Sequence, residues 1–207
     1  MIRARYGLMG GTFDPIHIGH LLAAETVREE FALERVIFIP SAHPPHKRIE
    51  QVTPAAIRYK MVKLAVRNHR SFAISDCELK RKGPSFTVDT LSFFHGEFPE
   101  AEFYFITGAD ALFELVSWKD MEKLFSLCSF VGVTRHGYNL DNALHEHPSL
   151  QQYRHKMHFL EIPKVEISST YIRQRRADEK SIKYLVPPAV ERFIVSRRLY
   201  RAQKRDI

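Results

Sequence analysis

Gly10, Gly11, His17, Gly19 and His20 crowd into one stretch, GGTFDPIHIGH, which runs from Gly10 to His20 behind the short apolar run Tyr6–Met9. Glycines at a strand end leave backbone N–H groups open to a closely fitting anion, and a helix starting beside them aims its unpaired N–H groups and positive dipole end the same way. His17 and His20 stand at i and i+3, so both imidazoles project from one side of the first turn, and Gly19 between them removes bulk. Two imidazoles beside a set of amides suit phosphate oxygens. Neither a G-x-x-x-x-G-K-[ST] loop nor a G-x-G-x-x-G after the first strand is present, so the anion site is of another kind. A metal reading is weaker, because three or four ligands are needed and Asp14 alone stands near the two histidines.

Other stretches carry groups suited to the same task. PSAHPPHK (Pro40–Lys47) is stiffened by Pro40, Pro44 and Pro45, which holds His46 and Lys47 on a rigid loop. Lys47 fits a phosphate partner better than His43 and His46 fit a metal. TGAD places Gly108 at the end of an apolar run and Asp110 near a helix start, where a cap is the simplest role. ISSTYIR is a helix start by its own chemistry: Ser168, Ser169 and Thr170 are good caps, and Arg173 lies about one turn on. Beyond capping, that helix start and its arginine are donors for phosphates approached from the side opposite His17 and His20. Trp118, the only tryptophan, sits in SWKD near a helix end, by default as a half-buried core residue.

These groups act together only if a fold gathers them. Arg5–Gly10 reads as a first strand, His17–Phe31 as a helix with Leu21, Ala24, Val27 and Phe31 in a stripe, and Arg35–Pro40 as a β-rich run stopped by proline. Thr53–Asn68 reads as a helix with Thr53 as its cap and Pro54 at its first position. A short strand in Ser71–Asp76, a helix in TVDTLSFFHGEF, a strand over Glu102–Gly108, a helix in DALFELVSW and a strand over Ser126–Thr134 complete the alternation. The polar, His-rich Asn139–Tyr153 is placed as a loop or frayed helix. This order implies an α/β fold: a doubly wound, mainly parallel sheet with helices on both faces. Ligands of such sheets sit beyond the carboxyl ends of the strands, where strand order reverses, and GGTFDP, PSAHPPHK, TGAD and RHGYN are all expected at that rim.

The 207 residues, 44% hydrophobic and 12% aromatic, suit one globular domain spanning residues 1–207. No apolar run approaches the roughly 20 residues of a membrane span, and the first residues lack the apolar core of a secretory signal. Cys77 and Cys128 form no disulfide or zinc spacing, so a reducing cytoplasm is expected. The net charge of +7 lies wholly in the end of the chain, where Tyr171–Ile207 holds eleven Lys and Arg against four Asp and Glu. That basic segment, expected to be helical, is either a solvated face or an attractor of nucleic acid or small polyphosphates.

GGTFDPIHIGH resembles the H-x-G-H signature of the nucleotidyltransferase superfamily. With PSAHPPHK, GPSFTVDTL (Gly83–Leu91), FITGADALFELVSWKD (Phe105–Asp120) and ISSTYIR (Ile167–Arg173), the chain is similar to the nicotinate-nucleotide adenylyltransferases of bacterial NAD synthesis. The resemblance implies a Rossmann-like fold and a reaction in which the 5′-phosphate of nicotinate mononucleotide attacks the α-phosphorus of ATP, with Mg²⁺ as the cofactor accompanying ATP. It implies His17, His20, Lys47 and Arg173 as catalytic residues. It implies ATP contacts at Gly10, Gly11, Thr12, Phe13, Gly19, Gly108, Asp110, Ser168, Ser169 and Thr170, with Asp110 accepting from ribose or helping to place Mg²⁺. The mononucleotide is then expected at His46, Thr87, Trp118, Lys119 and Arg135, with Trp118 stacked on the pyridine and amides near Thr87 and Trp118–Lys119 receiving its carboxylate. No residue-held metal site, no nucleic acid and no membrane enter this reading; a homo-oligomer is open.

Two departures from the family pattern concern the mononucleotide end: Phe86 stands where many members have tyrosine, and His136 where many have proline. The competing readings are a sibling adenylyltransferase acting on phosphopantetheine or nicotinamide mononucleotide, and a nucleic-acid-binding module that uses the basic tail. The latter has a thin stacking surface, only Phe193 and Tyr200 within Arg192–Arg205.

Overall fold

The computed structural model describes residues 3–44, 52–134, 144, 147–163 and 165–202. Six strands form one sheet: β1 (Arg5–Gly11), β2 (Arg35–Pro40), β3 (Phe72–Ile74), β4 (Glu102–Gly108), β5 (Ser129–Thr134) and β6 (Met157–Glu161). Their order is β3-β2-β1-β4-β5-β6 and every pairing is parallel. The chain winds outward from β1 in one direction, returns, and winds outward in the other, which is the doubly wound arrangement.

Strand periodicity divides the apolar residues between two cores. Met9, Val36, Phe38, Tyr104, Ile106 and Val131 face one side, while Leu8, Ile37, Ile39, Phe103, Phe105 and Phe130 face the other. The first face is covered by α1 (Ile18–Glu30), α2 (Ala55–Val66), α7 (Ser169–Ala177) and α8 (Pro188–Ser196); the second by the single turn α3 (Cys77–Lys80) and by α4 (Thr87–Glu97), α5 (Ala109–Phe113) and α6 (Met121–Leu127). Both faces of the sheet are therefore buried, as near-continuous apolar strands require.

Several local expectations are corrected. Thr53 does not cap α2; Pro54 holds the cap position and Ala55 begins the helix. Ser126 and Leu127 are the last residues of α6, not the start of a strand, because Met121, Leu124 and Phe125 set a helical stripe that runs up to them. DALFELVSW is the short α5 followed by a 3₁₀ turn over Glu114–Ser117. Pro148–Lys156 is 3₁₀ and leads into β6, an edge strand the sequence reading did not anticipate. Among the described residues of the basic segment there are two helices, α7 and α8, whose inner sides, Ile172, Val190 and Ile194, are core.

Candidate active site

The strand order reverses between β1 and β4, and two cavities open at their carboxyl ends. One, of about 380 Å³, is bounded by Gly10, Gly11 and Thr12 on one side and by Thr87, Trp118 and Lys119 on the other. The second, of about 600 Å³, takes His17, Gly19, His20, Gly108, Asp110, Ser168 and Ser169 into its wall. Thr107, near the end of β4, lines both. They are two compartments meeting at the switch point.

His17 occupies the cap position of α1, and its backbone N–H donates to Nδ1 of His20 at 3.2 Å. An Nδ1 that accepts leaves Nε2 as the protonated nitrogen of the neutral ring, a donor on the far side of the imidazole. The two rings stack with centroids 3.7 Å apart. Gly19 gives the rings room: a Cβ there would stand 3.2 Å from Nδ1 of His17, a tight contact. Gly11 plays a similar part for the loop, since a Cβ on it would meet the Phe13 ring at 2.9 Å.

The second helix start is fastened to the first. Ser168 caps α7 by accepting from the Tyr171 N–H, Ser169 Oγ donates to the Pro15 carbonyl at 2.9 Å, and Arg173 Nη1 donates to the Asp14 carbonyl at 2.8 Å. Thr170 Oγ1 receives the other arm of Arg173 at 3.2 Å. The N-termini of α1 and α7 thus open together at the second cavity, a concentration of donors suited to a polyphosphate.

Not every predicted residue lines a cavity. Gly10, Gly11 and Thr12, assigned to ATP, border the smaller cavity beside Trp118 and not the larger one. Phe13, buried with φ 49°, shapes the loop as a core ring edge-on to His20 and is not a wall of either cavity. Thr170 and Arg173 line neither cavity; Arg173 is anchored next to the larger one by its bonds to the Asp14 carbonyl and Thr170 Oγ1, with guanidinium N–H groups to spare. Trp118 packs edge-on against Phe105, and its N–H already donates to the Leu115 carbonyl at 3.0 Å, which removes that amide from an anion receptor. Lys119 Nζ lies 3.6 Å from Asp89 Oδ1 and 4.9 Å from the centre of the Phe86 ring. His46, Lys47, Arg135 and His136 lie outside the described residues.

Residues that the sequence reading passed over hold the walls in place. Arg58, 1% exposed, donates to the carbonyls of Thr53 (2.7 Å), Thr12 (2.7 Å), Ser41 (2.6 Å) and Ala42 (3.4 Å). Burial lowers its pKa, while the charges of Asp14 and Glu78 favour its ionised form. Ser85 Oγ accepts the N–H groups of Ala42 and His43, tying the loop after β2 to the start of α4. Glu78, in the wall of the smaller cavity, accepts from Thr90 Oγ1 at 2.7 Å. Burial pushes its pKa up despite the Ser85 and Thr90 hydroxyls. A buried arginine inside AAIRYKMV carries no local signal; only its carbonyl partners, from three loops, reveal it.

Comparison with known proteins fits this geometry. The cytidylyltransferase-like family model matches residues 8–175. A Moorella thermoacetica protein named "Probable nicotinate-nucleotide adenylyltransferase" is 50% identical over 199 residues, covering 95% of this chain and 92% of its own length. The chain belongs to the nicotinate-nucleotide adenylyltransferase family. A Corynebacterium glutamicum relative of the same name is 44% identical over 204 residues, covering 99% of this chain and 92% of the relative. A solved structure of Plasmodium falciparum nicotinic acid mononucleotide adenylyltransferase complexed with NaAD shares the fold, with a TM-score of 0.77 at 22% identity over 96% of this chain and 98% of that one. As an adenylyltransferase fold, the sheet places its two cavities where a nucleotide donor and an acceptor can be brought end to end.

Proposed function

We propose that the protein transfers the adenylyl group of ATP to nicotinate mononucleotide, giving nicotinate adenine dinucleotide and pyrophosphate in NAD biosynthesis. The observation that carries this reading is the pair of compartments sharing Thr107, one walled by the two helix starts and the histidines, the other by Trp118, Thr87 and Lys119. ATP occupies the larger, with its triphosphate between the N-termini of α1 and α7. The mononucleotide occupies the smaller, with the pyridine against Trp118 and its 5′-phosphate toward Thr107.

An oxygen of the acceptor phosphate forms a bond to the α-phosphorus as the bond from that phosphorus to the bridging oxygen breaks, and pyrophosphate leaves. The attacking oxygen is already anionic, so no side chain has to remove a proton. The protein's contribution is alignment and charge stabilisation. His17 and His20 donate to the phosphates from one side, Arg173 and the α7 amides from the other, and Lys47 is a further cation for them. Mg²⁺ is the cofactor that accompanies ATP. Asp110 is the carboxylate in the wall of that cavity and is suited to the ribose or to the ion's water shell. When bound, Mg²⁺ neutralises charge on the transferred and leaving phosphates.

The acid end of the pyridine faces the first N–H groups of α4 at Thr87 and the amide of Lys119. A receptor built of donors accepts a carboxylate and leaves the NH₂ of an amide facing donors, which sets acid over amide. A cytoplasmic location suits two free, buried cysteines and a supply of ATP. The test is pyrophosphate release from ATP with nicotinate mononucleotide, nicotinamide mononucleotide and phosphopantetheine as parallel acceptors. The acid should be used fastest; equal use of the amide would overturn the selectivity, and preference for phosphopantetheine would overturn the acceptor.

A further inference from the structure

Asp14 is the point at which four distant parts of the chain meet. Its carbonyl accepts from Arg173 Nη1 at 2.8 Å, its Oδ2 accepts the Thr53 N–H at 3.0 Å, and its Oδ1 accepts the Tyr200 hydroxyl at 2.5 Å, across 186 residues of sequence. The carboxylate is buried, 4% exposed, and Tyr200 reaches it from beyond the end of α8 with its own backbone at φ 62°. A non-glycine residue in the left-handed region is uncommon, and here it turns the ring inward. The Arg58 guanidinium closes the network from below by donating to the Thr53 carbonyl.

We infer that Tyr200 is a positioning residue for the triphosphate clamp, acting through Asp14 on Arg173. Both oxygens of the Asp14 carboxylate are fixed by donors, which immobilises the main chain whose carbonyl holds one arm of Arg173. Without the phenol, Oδ1 is a buried acceptor with one donor fewer, and the loop relaxes toward water or another partner. The guanidinium then loses the fixed seat from which it meets phosphate. The effect falls first on ATP: Arg173 bonds the same residue that Tyr200 bonds, whereas Thr12 and Ser41 in the wall of the mononucleotide cavity are held by Arg58, which reaches Tyr200 only through Thr53 and Asp14.

This inference rests on ATP lying in the larger cavity, and its test separates the two. ATP affinity is measured by calorimetric titration without any acceptor, on the full chain and on Tyr200→Phe, with KM for nicotinate mononucleotide measured alongside. The expected result is ATP affinity weakened about tenfold in Tyr200→Phe with the mononucleotide KM changed less than about twofold. Tyr200→His, which tolerates a positive φ and restores an N–H donor, should recover part of the loss, and it is the variant to read if the Phe variant does not fold. Equal ATP affinity in the full chain and Tyr200→Phe would overturn the assignment, as would equal losses for both substrates. Failure of the unaltered chain to bind ATP at all would overturn the functional reading and this assignment with it, whereas binding of ATP with use of another acceptor would overturn only the former.

Discussion

Ser169 donates its hydroxyl to the carbonyl oxygen of Pro15 at 2.9 Å, joining residues 154 apart in sequence. Together with Arg173 on the Asp14 carbonyl, this bond makes one rigid unit of two helix starts that the chain forms at opposite ends of its length. Donors that are already in place need no reorganisation as charge develops on a transferred phosphate.

Arg173→Ala removes the charged member of that unit. The expected outcome is a fall in kcat for pyrophosphate release of about 10²–10³-fold, the scale for losing one preorganised donor to a developing anion. Circular dichroism should show the helices intact. A near-normal kcat would take Arg173 out of the mechanism.

Gly19→Ala puts a Cβ 3.2 Å from the His17 ring and presses that ring off its stacking position by a few tenths of an ångström. Helix propensity favours alanine over glycine by about 1 kcal/mol, so thermal stability should hold or rise slightly. Catalysis should drop by tenfold or more in the same variant. Coupled measurement of Tm and kcat checks the opposite signs; unchanged kcat would mean that ring placement does not matter.

Arg58→Met should cost stability in preference to chemistry. The change leaves four carbonyls without their donor and Asp14 without its nearby cation, and breaking such a buried charge arrangement costs about 3–5 kcal/mol. Arg58→Lys should recover only part, because one ammonium cannot span the three loops. Urea denaturation at neutral pH reads both; a loss under about 1 kcal/mol in the Met variant would refute the role.

Glu78 sets a pH dependence with a defined sign. Burial raises its folded-state pKa above the ordinary carboxyl value of 4.5, so between those two values the folded chain holds more proton than the unfolded one. Its contribution is therefore most favourable at acid pH and falls as pH rises through that window. Glu78→Gln keeps the acceptor for Thr90 and removes the titration, so its Tm should gain on the parent's from pH 4.5 upward. A constant Tm difference across that range would show that Glu78 ionises as freely when folded.

The strands were legible because both faces of the sheet are buried. Arg35–Pro40 and Glu102–Gly108 are apolar almost throughout, and no competing element uses such short β-rich runs. β6 was not legible, since Met157–Glu161 is an edge strand of mixed polarity after a polar, His-rich stretch. Ser126–Leu127 went to the wrong element because a serine and a leucine at a boundary suit the last turn of a helix and the first residues of a strand equally well.

What local sequence determined by itself is the chemistry of each helix start: glycines, paired imidazoles, capping hydroxyls and an arginine are recognisable because capping and anion binding act over a few residues. Tertiary structure alone decided which groups share a compartment and which stand behind it. Gly10–Thr12 border the cavity that Trp118 lines, Phe13 is core, the Trp118 amide is occupied, and Arg58, Glu78 and Tyr200 hold the walls. Their bonds run between residues up to 186 apart. Such pairings depend on how helices and loops dock across the sheet, which no local spacing encodes.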